Sequence, residues 1–190
     1  MTAPTYPAML DALHVRAAHS RLVASPTGHV MASTHRLPDA PYGPMYRLGM
    51  AVTDAGPDCV FGVGRAADRF ATGLLETHRE LLGQVLADAI RHLDGRTSAG
   101  ATLLSMQLVE GQLADIAMAI SADEAVPAPR RDADSRSRWR SCLRLVAAGR
   151  QLVKLFGARG YLTDGPGADL YLAEVAGNIY LHPDLEDDDD

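Results

Sequence analysis

Cysteine is scarce: Cys59 and Cys142 are the only two in 190 residues, far apart and outside any CxxC or Cys/His spacing. That excludes a disulfide framework or a metal knuckle and leaves two reduced, packed thiols as the expectation. A chain of this length buries a core without such staples. Long apolar runs are missing as well, none approaching the roughly 18 residues that span a bilayer. Met1 to Ala12 shows no basic segment followed by an apolar one, so neither a membrane contact nor a secretory leader is expected, and a cytoplasmic location follows. Aromatics make up 5% of the chain. Trp139 is the lone aromatic of the basic stretch from Arg130 to Arg150, which Asp132 and Asp134 interrupt. That stretch reads as a polar helix face, and no nucleic-acid partner is expected. Repeats are absent, and the one low-complexity tract is the acidic run Glu186 to Asp190, which contributes to the net charge of −6 and reads as a solvated tail.

What is present is helical periodicity. Leu74, His78, Leu81, Leu82, Val85, Leu86, Ala89, Ile90 and Leu93 trace one face before Asp94-Gly95 ends it. A second helix is predicted from about Leu103 to Glu124, with Met106, Val109, Leu113, Ile116, Ala117 and Ile120 inward and Pro127 and Pro129 barring its continuation. A third runs from about Ser137 to Phe156, with Trp139, Cys142, Leu143, Val146, Val153 and Phe156 inward and Gly157 as its stop. A fourth is predicted from Ala168 to Tyr180, using Tyr171, Val175 and Ile179. Stripes that cover about a third of a helix surface suit mutual packing in a bundle. Residues 125–136, rich in proline and charge, read as a linker.

The first seventy residues differ. Met9 to Val23 carries a weak helical pattern through Leu10, Leu13, Ala17 and Val23. Prolines at 26, 38, 41 and 44 then exclude long helices. Tyr46 to Thr53 and Cys59 to Gly64 flank the turn-forming run Asp54 to Asp58 and are predicted to pair as a hairpin, with a kinked helix as the alternative. The organisation expected is an extension over 1–70, a bundle over 71–182 and an acidic tail over 183–190.

Three stretches of the bundle carry a resemblance. Arg96-Thr97-Ser98-Ala99-Gly100 precedes Leu104, Gln107 and Leu113-Ala114-Asp115-Ile116-Ala117; Lys154-Leu155-Phe156-Gly157-Ala158-Arg159-Gly160-Tyr161 forms a glycine-bearing turn; Leu170-Tyr171 leads to Ile179-Tyr180. Together, between about Leu74 and Tyr180, they resemble the C-terminal helical domain of the acyl-CoA dehydrogenase family, in truncated and divergent form. The family has Arg-x-Gln-Phe-Gly at the first turn, Gln-x-x-Gly-Gly-x-Gly-Tyr at the second, and Leu-Tyr-Arg-Asp running to Ile-Tyr-Glu-Gly at the third. The resemblance implies a mainly α fold with a four-helix bundle, a short N-terminal helix and a β-hairpin. It also implies homo-oligomers or assembly with a full-length subunit. Arg96, Lys154, Gly157 and Gly160 then stand where the family touches the FAD of a neighbouring subunit, because guanidinium grips phosphate and glycine admits close backbone approach.

The departures concern the chemistry. Removal of an α-proton needs a carboxylate, and a common family position for it is Leu181 here, which takes no proton, while some members place the base on the first bundle helix. His78 and Glu80 are the remaining candidates, and Glu76 neighbours them; a satisfied core histidine and solvated glutamates are the ordinary outcomes for such residues. Leu172-Ala173 replaces the family's Arg-Asp pair and Ala99 its aromatic. Gly62-Val63-Gly64-Arg65 lacks phosphate-loop spacing and reads as a strand end, and His182-Pro183-Asp184 lacks a second fixed metal ligand, so no metal is expected. No cofactor is expected on the chain alone, only contact with the FAD of a partner. Two functional readings stand. One is a noncatalytic partner subunit of a flavin-dependent acyl-thioester oxidoreductase. The other is a cofactor-independent enzyme or binding protein whose bundle cleft takes an acyl thioester or polyketide-like small molecule, with His78, Glu80 and Tyr161 as polar anchors.

Overall fold

The structure, a computed structural model, describes residues 4–60, 64–125 and 135–183. Its first helix, α1 (Tyr6–Ala18), carries a proline in its opening turn, where the fixed φ suits helix and no donor is lost from the ladder. Thr5 caps nothing with its side chain. Instead the N–H of Tyr6 donates to Asp169 Oδ1 at 3.2 Å, a cap supplied from 163 residues away. Tyr6, Met9, Leu10, Leu13 and Ala17 are buried on one side of α1. Strands β1 (His29–Ser33) and β2 (Met50–Asp54) form a two-stranded antiparallel sheet with Met31 opposite Val52. The long helix α2 (Arg65–Asp94) follows, then a small ribbon of β3 (Thr97–Ser98) and β4 (Ala101–Thr102). Its two-residue turn places Ala99 at φ 51° and Gly100 at φ 82°, the left-handed geometry that such hairpins demand.

Three further helices, α3 (Gln107–Ala125), α4 (Ser135–Leu155) and α5 (Pro166–Tyr180), complete a bundle with α2. Helices α2 and α4 each touch the other three members of the bundle, while α1 lies on α2 and reaches α5 and β1. One cluster of buried side chains runs through both halves of the chain, from Tyr6, Leu10 and Met31 to Leu74, Leu152 and Leu172. Each fully buried leucine there contributes about 2 kcal/mol of transfer free energy. Among the described residues no helix is long and apolar enough to cross a membrane.

The expected helices are present, with Cys142, Phe156, Trp139, Val146, Val175 and Ile179 in or against the core as expected and one departure on each of two faces. Leu143 of α4 and Tyr171 of α5 are exposed, whereas Ser141, Cys142, Leu145, Ala148, Gly149 and Leu152 of α4 and Leu172, Ala173, Ala176 and Gly177 of α5 are buried. The reason is the closeness of the crossing: a Cβ on Gly177 would collide with Cys142 Sγ, so small residues face the partner helix. Met106 and Ile90 are likewise exposed. The pairing expected between 46–53 and 59–64 is corrected. Tyr46–Leu48 is a 3-10 turn, β2 pairs with β1, and Val60 makes only an isolated parallel bridge to Val23. The strand that β2 meets is apolar, with Val30, Met31 and Ala32 all buried. Val23, assigned to the first helix, lies beyond it. The linker over 126–134, the strand end at 62–63 and the acidic run from 184 onward fall outside the described residues.

The turn between α4 and α5 is built on contacts that only glycine permits. A Cβ on Gly160 would sit 2.5 Å from the Val153 carbonyl oxygen, and one on Gly167 would overlap the carbonyl oxygen of Gly160. Gly167→Ala is expected to destabilise the fold by about 2 kcal/mol or more, as overpacking against backbone does, read as a lower urea midpoint. Gly83→Ala, at an exposed position inside α2 where nothing lies within 4 Å, is the contrasting variant and is expected to stabilise by about 0.5–1 kcal/mol.

Candidate functional site

Helices α2, α4 and α5 diverge toward the 3-10 turn Gly157–Tyr161 and leave a cleft of about 490 Å³ between them. Its walls are Leu81 and Leu82 of α2, Leu145 and Val153 of α4, and Leu170 and Ala173 of α5, and Leu48 closes one side from the N-terminal segment. Cavities of this size and apolar character are typical of small-molecule sites. Charge is confined to the mouth. Arg150 pairs with Glu174, and Lys154 donates to Gln151 Oε1 at 3.1 Å. Tyr161 stands beside them, exposed.

His78 lies at the floor. It is 3% exposed, and its Nε2 is 3.0 Å from the Tyr6 hydroxyl. Burial, with a smaller contribution from Arg79, pushes its pKa down to about 4. Burial also holds the Tyr6 phenol well above its ordinary value. Both groups are therefore neutral at pH 7. A histidine so weakly basic draws protons poorly from a carbon acid, which speaks for a polar contact in the cleft over a general base. Sequence periodicity found His78 but not Tyr6, because the weak apolar pattern of α1 begins at Met9 and a tyrosine before it carries no signal of its own.

The other candidates are spread over the molecule. Glu80 is exposed and accepts from Gln84 Nε2 at 3.3 Å, and Glu76 lies in a separate groove with Arg16, Arg69 and Leu13. Neither lines the cleft. Leu181 is buried beside Phe70 and Tyr180 at a second cavity of about 330 Å³. The carboxylate at that cavity is Asp68, held by Arg138 at 3.2 Å. Lys154 and Gly160 line the cleft. Arg96 lies instead at the end of α2, exposed, with Nη1 3.5 Å from His92 Nε2. His92 stacks at 5.4 Å on Phe156, and partial burial and the charges of Arg96 and Arg159 lower its pKa. Gly157 follows at φ 57°, with nothing within 4 Å of the place a Cβ would take. Arg96 and Arg159 thus form a cationic edge beside an open glycine, which suits phosphate oxygens presented from another surface. Gly160 is a glycine for internal packing, as its contact with Val153 demonstrates.

Among solved structures, butyryl-CoA dehydrogenase from Megasphaera elsdenii is similar over 61% of this chain, at 21% identity and a TM-score of 0.52. A variant of the Tcur3481-Tcur3483 steroid acyl-CoA dehydrogenase is similar over 68% of it, at 19% identity and a TM-score of 0.51. The chain has the fold of part of an acyl-CoA dehydrogenase. It spans about a third of the length of these proteins, 33% and 38% respectively. No protein-family model and no curated protein matches it.

The acyl-CoA dehydrogenase-like fold carries a second buried histidine. Val23 N–H donates to His14 Nδ1 at 3.0 Å, and His14 Nε2–H donates to the Met31 carbonyl at 2.9 Å. Burial takes His14 to about 4 as well. An imidazole whose pKa is lower folded than unfolded is protonated first in the unfolded chain. Stability is therefore full above pH 6.5 and falls as pH drops toward 4, by on the order of 3 kcal/mol for each histidine. Urea midpoints measured from pH 7 to 4 are expected to fall steadily, and His78→Leu is expected to flatten that slope.

Proposed function

We propose that the chain is a noncatalytic partner subunit of a flavin-dependent acyl-thioester oxidoreductase, presenting Arg96 and Arg159 to the diphosphate of the FAD bound by that subunit. The carrying observation is the cationic edge at the ends of α2 and α4, exposed and set beside Gly157. The buried leucine at position 181 supports the noncatalytic half of the reading, since a common family base position holds no proton acceptor. FAD bound in this way brings the redox chemistry; Arg96 and Arg159 contribute only charge and hydrogen bonds to its phosphates. Co-expression with an acyl-CoA dehydrogenase flavoprotein subunit is expected to give a co-purifying complex. Arg96→Ala is expected to lower its 450 nm absorbance per subunit at unchanged thermal stability of the free chain. Absence of a complex, or flavin retention indifferent to Arg96→Ala, overturns the proposal.

A second reading rests on the cleft: the bundle binds an apolar small molecule with no flavin involved. The volume of about 490 Å³, the aliphatic walls and the neutral His78 at the floor favour it. Medium-chain acyl thioesters and polyketide-like ring compounds are then expected to raise the melting temperature of the isolated chain. Leu82→Trp, which fills the cleft, is expected to abolish that rise.

A further inference from the structure

The cleft wall offers one unanswered polar group. A neutral imidazole has one N–H and one lone pair. Nε2 of His78 faces the hydroxyl of Tyr6, which is 0% exposed and has that nitrogen as its hydrogen-bond partner among the described residues. Were Nε2–H the donor, the phenolic proton would be left in the core with no acceptor, which is costly. Tyr6 O–H therefore donates, Nε2 accepts, and the ring proton resides on Nδ1. That nitrogen makes no hydrogen bond to the protein. Yet no buried side-chain nitrogen or oxygen among the described residues lacks a partner. Nδ1 is consequently open to the cleft that His78 lines.

We propose that the cleft binds an uncharged, largely apolar carbonyl compound whose carbonyl oxygen accepts a hydrogen bond from His78 Nδ1–H, with Tyr6 as the positioning residue that fixes the tautomer. The inference rests on the second reading above, that the cleft is a small-molecule site. The surroundings select the class. An alkane leaves the donor unpaired. A carboxylate at the floor is stripped of water and meets no lining cation there: Arg150 is held by Glu174 at the mouth, Lys154 lies there too, and Arg79, whose charge reaches His78, lines no part of the cleft and has partners of its own. An alcohol brings a proton for which the floor supplies no acceptor. A ketone or ester oxygen meets the donor, and its aliphatic body meets Leu81, Leu82, Leu145 and Leu170. This cleft is distinct from the cavity at Leu181, so the proposal assigns no dehydrogenase role to it.

Two measurements on the full chain test it. Long-range 1H–15N correlation spectra with labelled histidine are expected to show His78 protonated on Nδ1, and Tyr6→Phe is expected to redistribute the proton between the two nitrogens. In calorimetric titrations 2-decanone is expected to bind at least about tenfold more tightly than decanoate, the fold-change of one well-made hydrogen bond free of a desolvated charge. His78→Leu is expected to erase that preference, and circular dichroism checks that it remains folded. Should His78→Leu fail to fold, Tyr6→Phe must still narrow the preference. An Nε2–H tautomer in the unaltered chain overturns the inference even if alkyl compounds bind, which leaves the cleft reading standing. A ketone that binds no better than decanoate also overturns it. Failure of every compound to bind, with the tautomer as stated, overturns the cleft reading and this inference with it.

Discussion

Two neutral imidazoles buried along α1 and α2 hold the N-terminal segment to the bundle. His14 accepts a hydrogen bond from Val23 N–H and donates one to the Met31 carbonyl, so one ring satisfies the backbone of two separate segments. His78 meets Tyr6 across the α1 side of α2. Neither ring can charge without losing such a bond or desolvating an ion, and that is why both pKa values lie near 4. The packing around them is equally exacting. Phe70 stacks on His14 at 4.6 Å and on Tyr180 at 4.7 Å, and Gly73 is bare where Leu13 crosses α2. The chemistry of the cleft floor therefore belongs jointly to the bundle and to a residue outside it.

Legibility from sequence divided along physical lines. Four helices were visible because apolar residues recur at helical spacing and proline or glycine ends the runs, as at Gly95 and Gly157. On α4 and α5 only Leu143 and Tyr171 were misplaced, because large residues mark buried faces only where helices stand apart. At a close crossing Gly177, Ala176 and Gly149 turn inward and Tyr171 turns out. The partner of β2 was misread because proximity in sequence favoured 59–64, itself apolar, so that pattern alone did not separate it from the earlier strand His29–Ser33. Of the site residues, His78 could be found from its place on an apolar stripe. Tyr6 could not, since its role exists only once α1 lies against α2.

The residues that resemble the acyl-CoA dehydrogenase pattern lie in two different settings. Arg96 and Gly157 face outward at the bundle end, where a neighbouring surface can reach them. Gly160 answers to the carbonyl of Val153, and Lys154 stands at the cleft mouth. The matched residues thus divide by setting, Arg96 and Gly157 exposed and Gly160 buried against Val153. Similar structures at 21% and 19% identity share the architecture, which constrains the turn far more than the ligand.

The hydroxyl of Tyr180 accepts from Met31 N–H at 2.8 Å and donates to its carbonyl at 3.3 Å, joining positions 149 apart in the chain. Such a clasp has a consequence for biogenesis. Strand β1 leaves the ribosome long before the helix that secures it, so its apolar Val30, Met31 and Ala32 wait through most of translation without their final neighbours. Closure over so many residues is slow compared with local helix growth. During that interval the strand has only α1 and β2, its neighbours in sequence, to cover it.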